Sequence, residues 1–289
     1  MMEEKNAHGR GRAGRHHGTH RAAAAEFTGA LPIRLILVPV DESSAGRIRL
    51  DIATHLARAN DADLVGVELI GSSKPASITG HIDGEHTPLH QMFSSKMAAV
   101  GIGYHWRETS ADGQDDIIAW SKLADLTVLS RLAEDTPPLF HAERIGLECG
   151  RPILLLPPER PTETIGLNVV VAWDASREAV RALHDAIPLM RDAARVAIVE
   201  CRADLSRRHH PDGAAATAIL ERHGVQAFSE IRTIGPESVT DALLDCIRDN
   251  GADLLVAGLY HHARFHEYIF GGVSRELLRH CPVPLFVSH

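Results

Sequence analysis

Short, almost wholly apolar runs alternate along the chain with longer stretches whose apolar residues recur at helical spacing. In the second half the runs fall at Asn168–Trp173, Arg195–Cys201, Gln226–Thr233, Asp253–Gly258 and Pro284–Ser288. Helical patterns lie between them, over Arg177–Arg191, Gly213–His223, Pro236–Asn250 and Val273–His280. The first and fourth runs are apolar at nearly every position. Both faces of those strands are therefore predicted to be covered, as in a parallel sheet held between two layers of helices. Right-handed crossovers leave few ways of joining such strands. They predict a doubly wound, five-stranded α/β domain.

The pattern occurs twice. Leu35-Ile36-Leu37-Val38-Pro39-Val40-Asp41, followed by an amphipathic stretch from Ser44 to Asn60, recurs as Asn168-Val169-Val170-Val171-Ala172-Trp173-Asp174 leading into Arg177–Arg191. Ala124-Asp125-Leu126 matches Ala252-Asp253-Leu254, and Gly150-Arg151-Pro152-Ile153-Leu154-Leu155 matches His280-Cys281-Pro282-Val283-Pro284-Leu285-Phe286. A Pro-rich linker, Pro157-Pro158-Glu159-Arg160-Pro161-Thr162, stands between the halves. The expected organisation is a tail over residues 1–31, a first α/β domain over 32–157, a linker over 158–165 and a second domain over 166–289. The tail carries Arg10, Arg12, Arg15 and Arg21 with His8, His16, His17 and His20 but almost no large apolar side chains. Such a segment buries too little surface to offset its ordering entropy, so disorder is expected. It contains no apolar core of a secretory signal.

Composition narrows the function. With 44% hydrophobic residues the chain is able to bury a core. Thirty Lys and Arg against 38 Asp and Glu leave a net charge of −8, which disfavours an electrostatically driven nucleic-acid binder. No apolar run approaches the ~18 residues of a membrane helix. Cys149, Cys201, Cys246 and Cys281 lie far apart, without the spacing of a metal site, and read as buried thiols of a cytoplasmic protein.

An open parallel sheet binds ligands outside the carboxyl ends of its strands, where the strand order reverses. In the second half the strand ends that flank this point carry Asp174 and Gly258. After a long loop, Gly271-Gly272-Val273-Ser274 opens the last helical stretch. Unpaired N–H groups, the helix dipole and missing Cβ atoms at such a start suit a phosphate.

Gly258-x-x-His261-x9-Gly271-Gly272-Val273-Ser274, with the strand-end acid and Cys281-Pro282-Val283-Pro284, resembles the universal stress protein family. The resemblance runs from about Arg34 to His289 and looks like the tandem type, with two family domains in one chain. It implies the nucleotide-binding, α-hydrolase-like fold of that family, in which domains commonly pair through their last strands. Ile153–Leu156 would then meet Leu285–Val287 within the chain, with a homodimer of whole chains beyond that. It further implies ATP or another adenine nucleotide, with Mg or Mn, in the second domain. Gly258, Gly271 and the Val273 and Ser274 amides would hold the phosphates, Asp174 would contact the nucleoside, and backbone near Val199–Cys201 would contact adenine. Two positions depart from the family motif: His261 replaces its second glycine, and Gly272 stands in place of its hydroxyl residue, leaving Ser274. The first half has Ser130-Arg131-Leu132-Ala133-Glu134-Asp135 at the corresponding point, with no glycine, and is expected to have lost its site.

Each feature has a simpler structural reading. Asp41 and Asp174 serve equally as caps of turns, assisted by Ser44 and Ser176. Gly271 and Gly272 suit close helix packing, and Trp173 suits the core. His261, His262 and His266 are weak metal candidates, since neighbouring histidines on an extended chain do not face one ion. No nucleophile elbow, HExxH or P-loop lysine appears, so no enzyme activity beyond slow ATP hydrolysis is expected. The expected function is a stress-response protein in which a ligand modulates an interaction with an unknown partner protein. The alternatives are a scaffold with a decayed site and a metal-binding variant.

Overall fold

The computed structural model describes residues 32–70, 87–110, 113–131, 141–158, 164–203, 211–234, 238–259 and 272–289. The first half contains β1 (Leu35–Val40), α1 (Ser44–Asn60), β2 (Asp63–Ile70), α2 (Pro88–Val100), β3 (Tyr104–Ser110), α3 (Gln114–Ser121), β4 (Leu126–Ser130), α4 (Ala142–Cys149) and β5 (Ile153–Leu156). The second half repeats that order with β6 (Asn168–Ala172), α5 (Arg177–Met190), β7 (Arg195–Arg202), α6 (Gly213–Arg222), β8 (Ala227–Thr233), α7 (Val239–Asp249), β9 (Leu254–Gly258), α8 (Gly272–His280) and β10 (Leu285–Ser288). The tail over 1–31 and most of the linker lie outside the described residues.

Side-chain caps set several helix starts. The Ser43 hydroxyl accepts the Gly46 N–H at 2.9 Å and the Ser176 hydroxyl accepts the Ala179 N–H at 3.1 Å. In the first half the capping residue is thus Ser43 rather than the neighbouring Ser44. Helix α7 starts later than its apolar pattern suggests because Ser238 and Asp241 form a reciprocal capping box.

The ten strands form one sheet in the order β3-β2-β1-β4-β5-β10-β9-β6-β7-β8. Pairing within each half is parallel. The halves join where β5 and β10 run antiparallel, with Leu155 opposite Leu285, Leu154 opposite Phe286 and Ile153 opposite Val287. The two expected sheets are therefore one, fused at the last strands. The fusion turns the halves head to tail, so the carboxyl ends of their strands emerge at opposite rims. One core layer lies between the sheet and α1, α2, α5 and α6, the other between the sheet and α3, α4, α7 and α8. Both layers run through both halves. Among the described residues no helix is long and apolar enough to cross a membrane.

The repeated acid before the fourth strand of each half holds the first strand in place. Asp253, 4% exposed, accepts the N–H groups of Gly166, Leu167 and Asn168 at 3.0–3.1 Å and the Thr164 hydroxyl at 2.7 Å. Asp125 accepts the N–H groups of Arg34 and Leu35 at 2.8 and 3.0 Å. Two arginines cross the seam in opposite senses. Arg131 donates to the Cys281 carbonyl at 2.9 Å, and Arg181 donates to the Gly150 carbonyl at 2.6 Å. Gly146 of α4 receives Leu259 from the other half, a Cβ there falling 2.4 Å from Leu259 Cδ2. The helix needs its glycine for this approach.

Asp253→Ala removes one acceptor from several donors at once, and charge-assisted bonds of this kind contribute about 1.5–3 kcal/mol each before compensation by water. The variant is expected to lose about 3 kcal/mol in urea denaturation, and more than Asp125→Ala, which releases fewer main-chain donors.

Candidate functional site

The first strand of each half pairs further along one neighbour than along the other. In the second half β6 stays with β7 to Ala172–Val199, and the Trp173 N–H then donates to the Val199 carbonyl at 2.9 Å. Its pairing with β9 stops at Val171–Val256. A crevice therefore opens between β6 and β9 at their carboxyl ends, where the strand order reverses. The first half splays likewise, β1 leaving β4 after Leu37–Thr127 while it follows β2 to Val40–Glu68.

Asp174 stands exposed at the mouth of the second crevice. Its Oδ1 accepts the Ser176 N–H at 2.9 Å, which fixes the turn into α5. Ala175 between them has φ 61°, a left-handed conformation that costs a residue with a Cβ about 1–2 kcal/mol. The turn is bent so that Asp174 faces outward while Ser176 caps α5. Trp173, 3% exposed, belongs to the core, its indole N–H donating to the Pro211 carbonyl at 3.2 Å. It is no stacking platform, and β6 ends at Ala172, one residue before the apolar run stops.

Gly258 closes β9 over the first turn of α5. A Cβ at this position would lie 2.6 Å from Ala179 N, 2.7 Å from Glu178 C and 2.8 Å from Glu178 Cβ. Close packing against α5 accounts for this glycine, whose φ is not left-handed. Gly272 is the opposite case: among the described residues a Cβ there meets nothing within 4 Å. Packing of α8 against the described residues therefore does not explain it. Val273 and Ser274 follow on the same turn, half-buried, ahead of the buried Leu277 and Leu278. The structure thus brings Asp174, the α5 start and Gly258 together, with Gly272, Val273 and Ser274 opening the next helix. His261, Gly271, His262 and His266 lie outside the described residues. Among the described residues no group of three His, Cys, Asp or Glu side chains is placed to hold a metal ion.

In the first half Asp41, the counterpart of Asp174, is occupied. The Ser43 N–H donates to it at 2.8 Å, the Ser43 hydroxyl donates to the same oxygen, and the buried Arg49 guanidinium donates to Oδ2 at 2.6 Å and to the Pro39 carbonyl at 2.8 Å. Burial pushes the Asp41 carboxyl up, but the Ser43 hydroxyl and the Arg49 charge together hold it below the usual carboxylate range. In the second half Ala182 stands where Arg49 stands in the first, so Asp174 has no such partner on α5.

Sequence reasoning did not single out two further carboxylates. Glu178, 5% exposed, lies in the first turn of α5 against Gly258. Glu200, 2% exposed at the end of β7, accepts the Gly213 N–H at 2.6 Å and pairs with the buried Arg202. Glu68 occupies the equivalent place in the first half and accepts the Thr87 hydroxyl at 2.5 Å. An acid standing in an otherwise apolar strand was the available signal for this repeated helix-start acceptor. Burial pushes the thiols of Cys201, Cys246 and Cys281 up to about 11, so little reactive thiolate is present at neutral pH.

The sequence model of the universal stress protein family matches residues 167–289. A universal stress protein from Archaeoglobus fulgidus DSM 4304 superposes with a TM-score of 0.63 at 18% identity, over 88% of this chain and 97% of that one. A protein of unknown function from Pseudomonas aeruginosa PAO1 superposes with a TM-score of 0.60 at 15% identity, over 89% of this chain and 92% of its own. At these identities the likeness is one of fold. A universal stress protein family protein from Arabidopsis thaliana, solved with AMP bound, covers 45% of this chain at 14% identity and a TM-score of 0.30, with 97% of its own length matched. No curated protein matches the chain.

Gly258→Ala forces a Cβ into main-chain atoms and is expected to cost about 2 kcal/mol or more, whereas Gly272→Ala should leave stability within about 1 kcal/mol of the parent; urea melts of both variants compare them. The Asp41 carboxyl titrates lower in the folded than in the unfolded chain. Its contribution is therefore full above the unfolded value of about 3.9 and is lost as pH falls through the folded value. Asp41→Asn should cost about 3 kcal/mol above pH 5 by leaving Arg49 buried without its counter-charge. It should also flatten the fall of urea stability with acid below about pH 4.

Proposed function

We propose, from the match of residues 167–289 to the sequence model of the universal stress protein family, that the crevice between β6 and β9 is a ligand site. On this reading it takes an adenine nucleotide, and occupancy alters how this cytoplasmic protein meets a partner protein. The whole chain is then a tandem of two such domains, the first keeping the fold without the site. The observation that carries the reading is Asp174, held outward by a strained turn at the splayed strand ends and left without the arginine that occupies its counterpart. Asp174 would receive the ribose hydroxyls. The main chain from Gly272 to Ser274, at the positive end of α8, would face the phosphates with Gly271. Mg or Mn would accompany a triphosphate. His261 would stand at the motif position nearest those phosphates.

A second reading is favoured by Gly258, whose lack of a side chain is fully explained by contact with α5. On that reading the domain is a scaffold that retains the motif glycine for packing alone.

Titration calorimetry with ATP and Mg separates the two. Binding is expected with a Kd below the millimolar range. Asp174→Ala and Gly272→Asp should each weaken it about tenfold or more, roughly the loss of one charge-assisted contact. Gly272→Asp adds a carboxylate where the helix dipole tolerates one, so the fold survives while phosphate is repelled. Absence of heat at millimolar ATP leaves the scaffold reading standing.

A further inference from the structure

We infer that the outer edge of β8 joins two copies of this chain, the strands running antiparallel about Ile231 so that Glu230 of each stands opposite Arg232 of the other. The inference does not depend on the crevice holding a ligand. With β5 and β10 paired to each other, β3 and β8 are the outermost strands, and among the described residues β8 pairs only with β7. The Ile234 N–H, just past the strand, donates to the Arg202 carbonyl at 2.8 Å. Main-chain groups alternate in direction along a strand. Those of Phe228, Glu230 and Arg232 therefore also face β7, and those of Ser229, Ile231 and Thr233 face outward. The outward three are the exposed residues of the strand's second half, with Ile231 48% exposed.

A two-fold axis perpendicular to the sheet keeps each helix layer on its own side, so residues set opposite one another must share a face. Centred on Ile231, the axis sets Ile231 against itself and Ser229 against Thr233. All of these have outward N–H and C=O groups, enough for about six main-chain bonds. Glu230 and Arg232 fall between them, in the pairs without main-chain bonds, where side chains approach more closely. Both lie on the α7 side, Glu230 Oε1 4.0 Å from the Cys246 Sγ and Arg232 paired with Asp249 at 3.0 Å. Arg232 also pairs with Glu230 within the chain. Across the axis that pair becomes a ring of four charges alternating in sign. On the other face α6 packs on Ser229 and carries no charged side chain from Gly213 to Leu220, so the axis brings no like charges together there. Charges on an edge strand ordinarily keep strands apart; in β8 their order makes the edge complementary to itself. The β3 edge is not. The Leu64 N–H donates to the Gly103 carbonyl, so Tyr104, Trp106 and Glu108 turn their main-chain groups outward. An axis at Glu108 sets Glu108 against itself, and one at Arg107 sets Arg107 against itself, arrangements that like charges oppose. An axis at Trp106 offers Arg107 only His105.

Sedimentation equilibrium of the full chain tests this. The parent should show twice the 31.4 kDa of one chain at micromolar concentration. Ile231→Pro removes an N–H that β7 does not use, so the variant should keep the parent's circular dichroism and be a monomer. Glu230→Arg and Arg232→Glu each set like charges opposite one another and should weaken self-association about tenfold or more. An equimolar mixture of these two restores opposite signs in every pair and should dimerise as the parent does. A merely structural role for the two side chains gives no such rescue, and the mixture decides the matter if proline disturbs the strand. A monomeric parent, a dimer that persists in folded Ile231→Pro, or a mixture no more associated than its components overturns the inference.

Discussion

An acid set at the start of a parallel strand takes up the main-chain N–H groups there, and in this chain such an acid organises each half. Asp253 does so with the N–H groups at the entry of β6, where no strand neighbour is available to take them. The same bonds fix where β6 begins relative to β9, and thus how far along both strands run before they part. Asp125 does this for β1 with fewer donors. The crevices at the opposite ends are consequences of this registration. Strands aligned at their amino ends by one anchored acid diverge at their carboxyl ends as the sheet twists.

The two crevices differ in what neutralises the acid at the mouth. Arg49 spends its guanidinium on Asp41 and the Pro39 carbonyl, converting a potential ligand contact into an internal strut. In the second half Ala182 brings no guanidinium to Asp174 from the equivalent place. One difference in a helix, eight residues from the acid, thus separates an arginine-paired acid from one without that arginine. Replacing either member of the buried pair would expose the other to the full cost of desolvation, so the first half is held in its paired form.

Much of this was legible in the chain. Strands covered on both faces show as continuous apolar runs, and each second-half strand lies within two residues of the run that foretold it. The seam between Ile153–Leu156 and Leu285–Val287 followed from a family resemblance rather than from periodicity. The site was less legible, because spacing does not say which side of the main chain is crowded. Gly258 matches a ligand motif yet faces helix backbone, while Gly272 departs from the motif and a Cβ on it would meet no described residue. Arg49 and Glu178 sit in amphipathic helices where a charged residue is ordinary. Only the fold shows that these two point inward. Gly146 lowers the helix propensity of α4, and only the entry of Leu259 beside it explains why it is there.

The antiparallel joint of β5 with β10 has an evolutionary side. Two identical subunits meeting through that edge must change together, since every mutation appears on both sides of the axis. Written into one polypeptide, the same contact lets the sides drift separately while their association is guaranteed by the covalent link. Any assembly of whole chains has to use another surface, because this edge is already consumed and the outermost strands are now β3 and β8. Asymmetry becomes heritable: each lobe is free to change without the other.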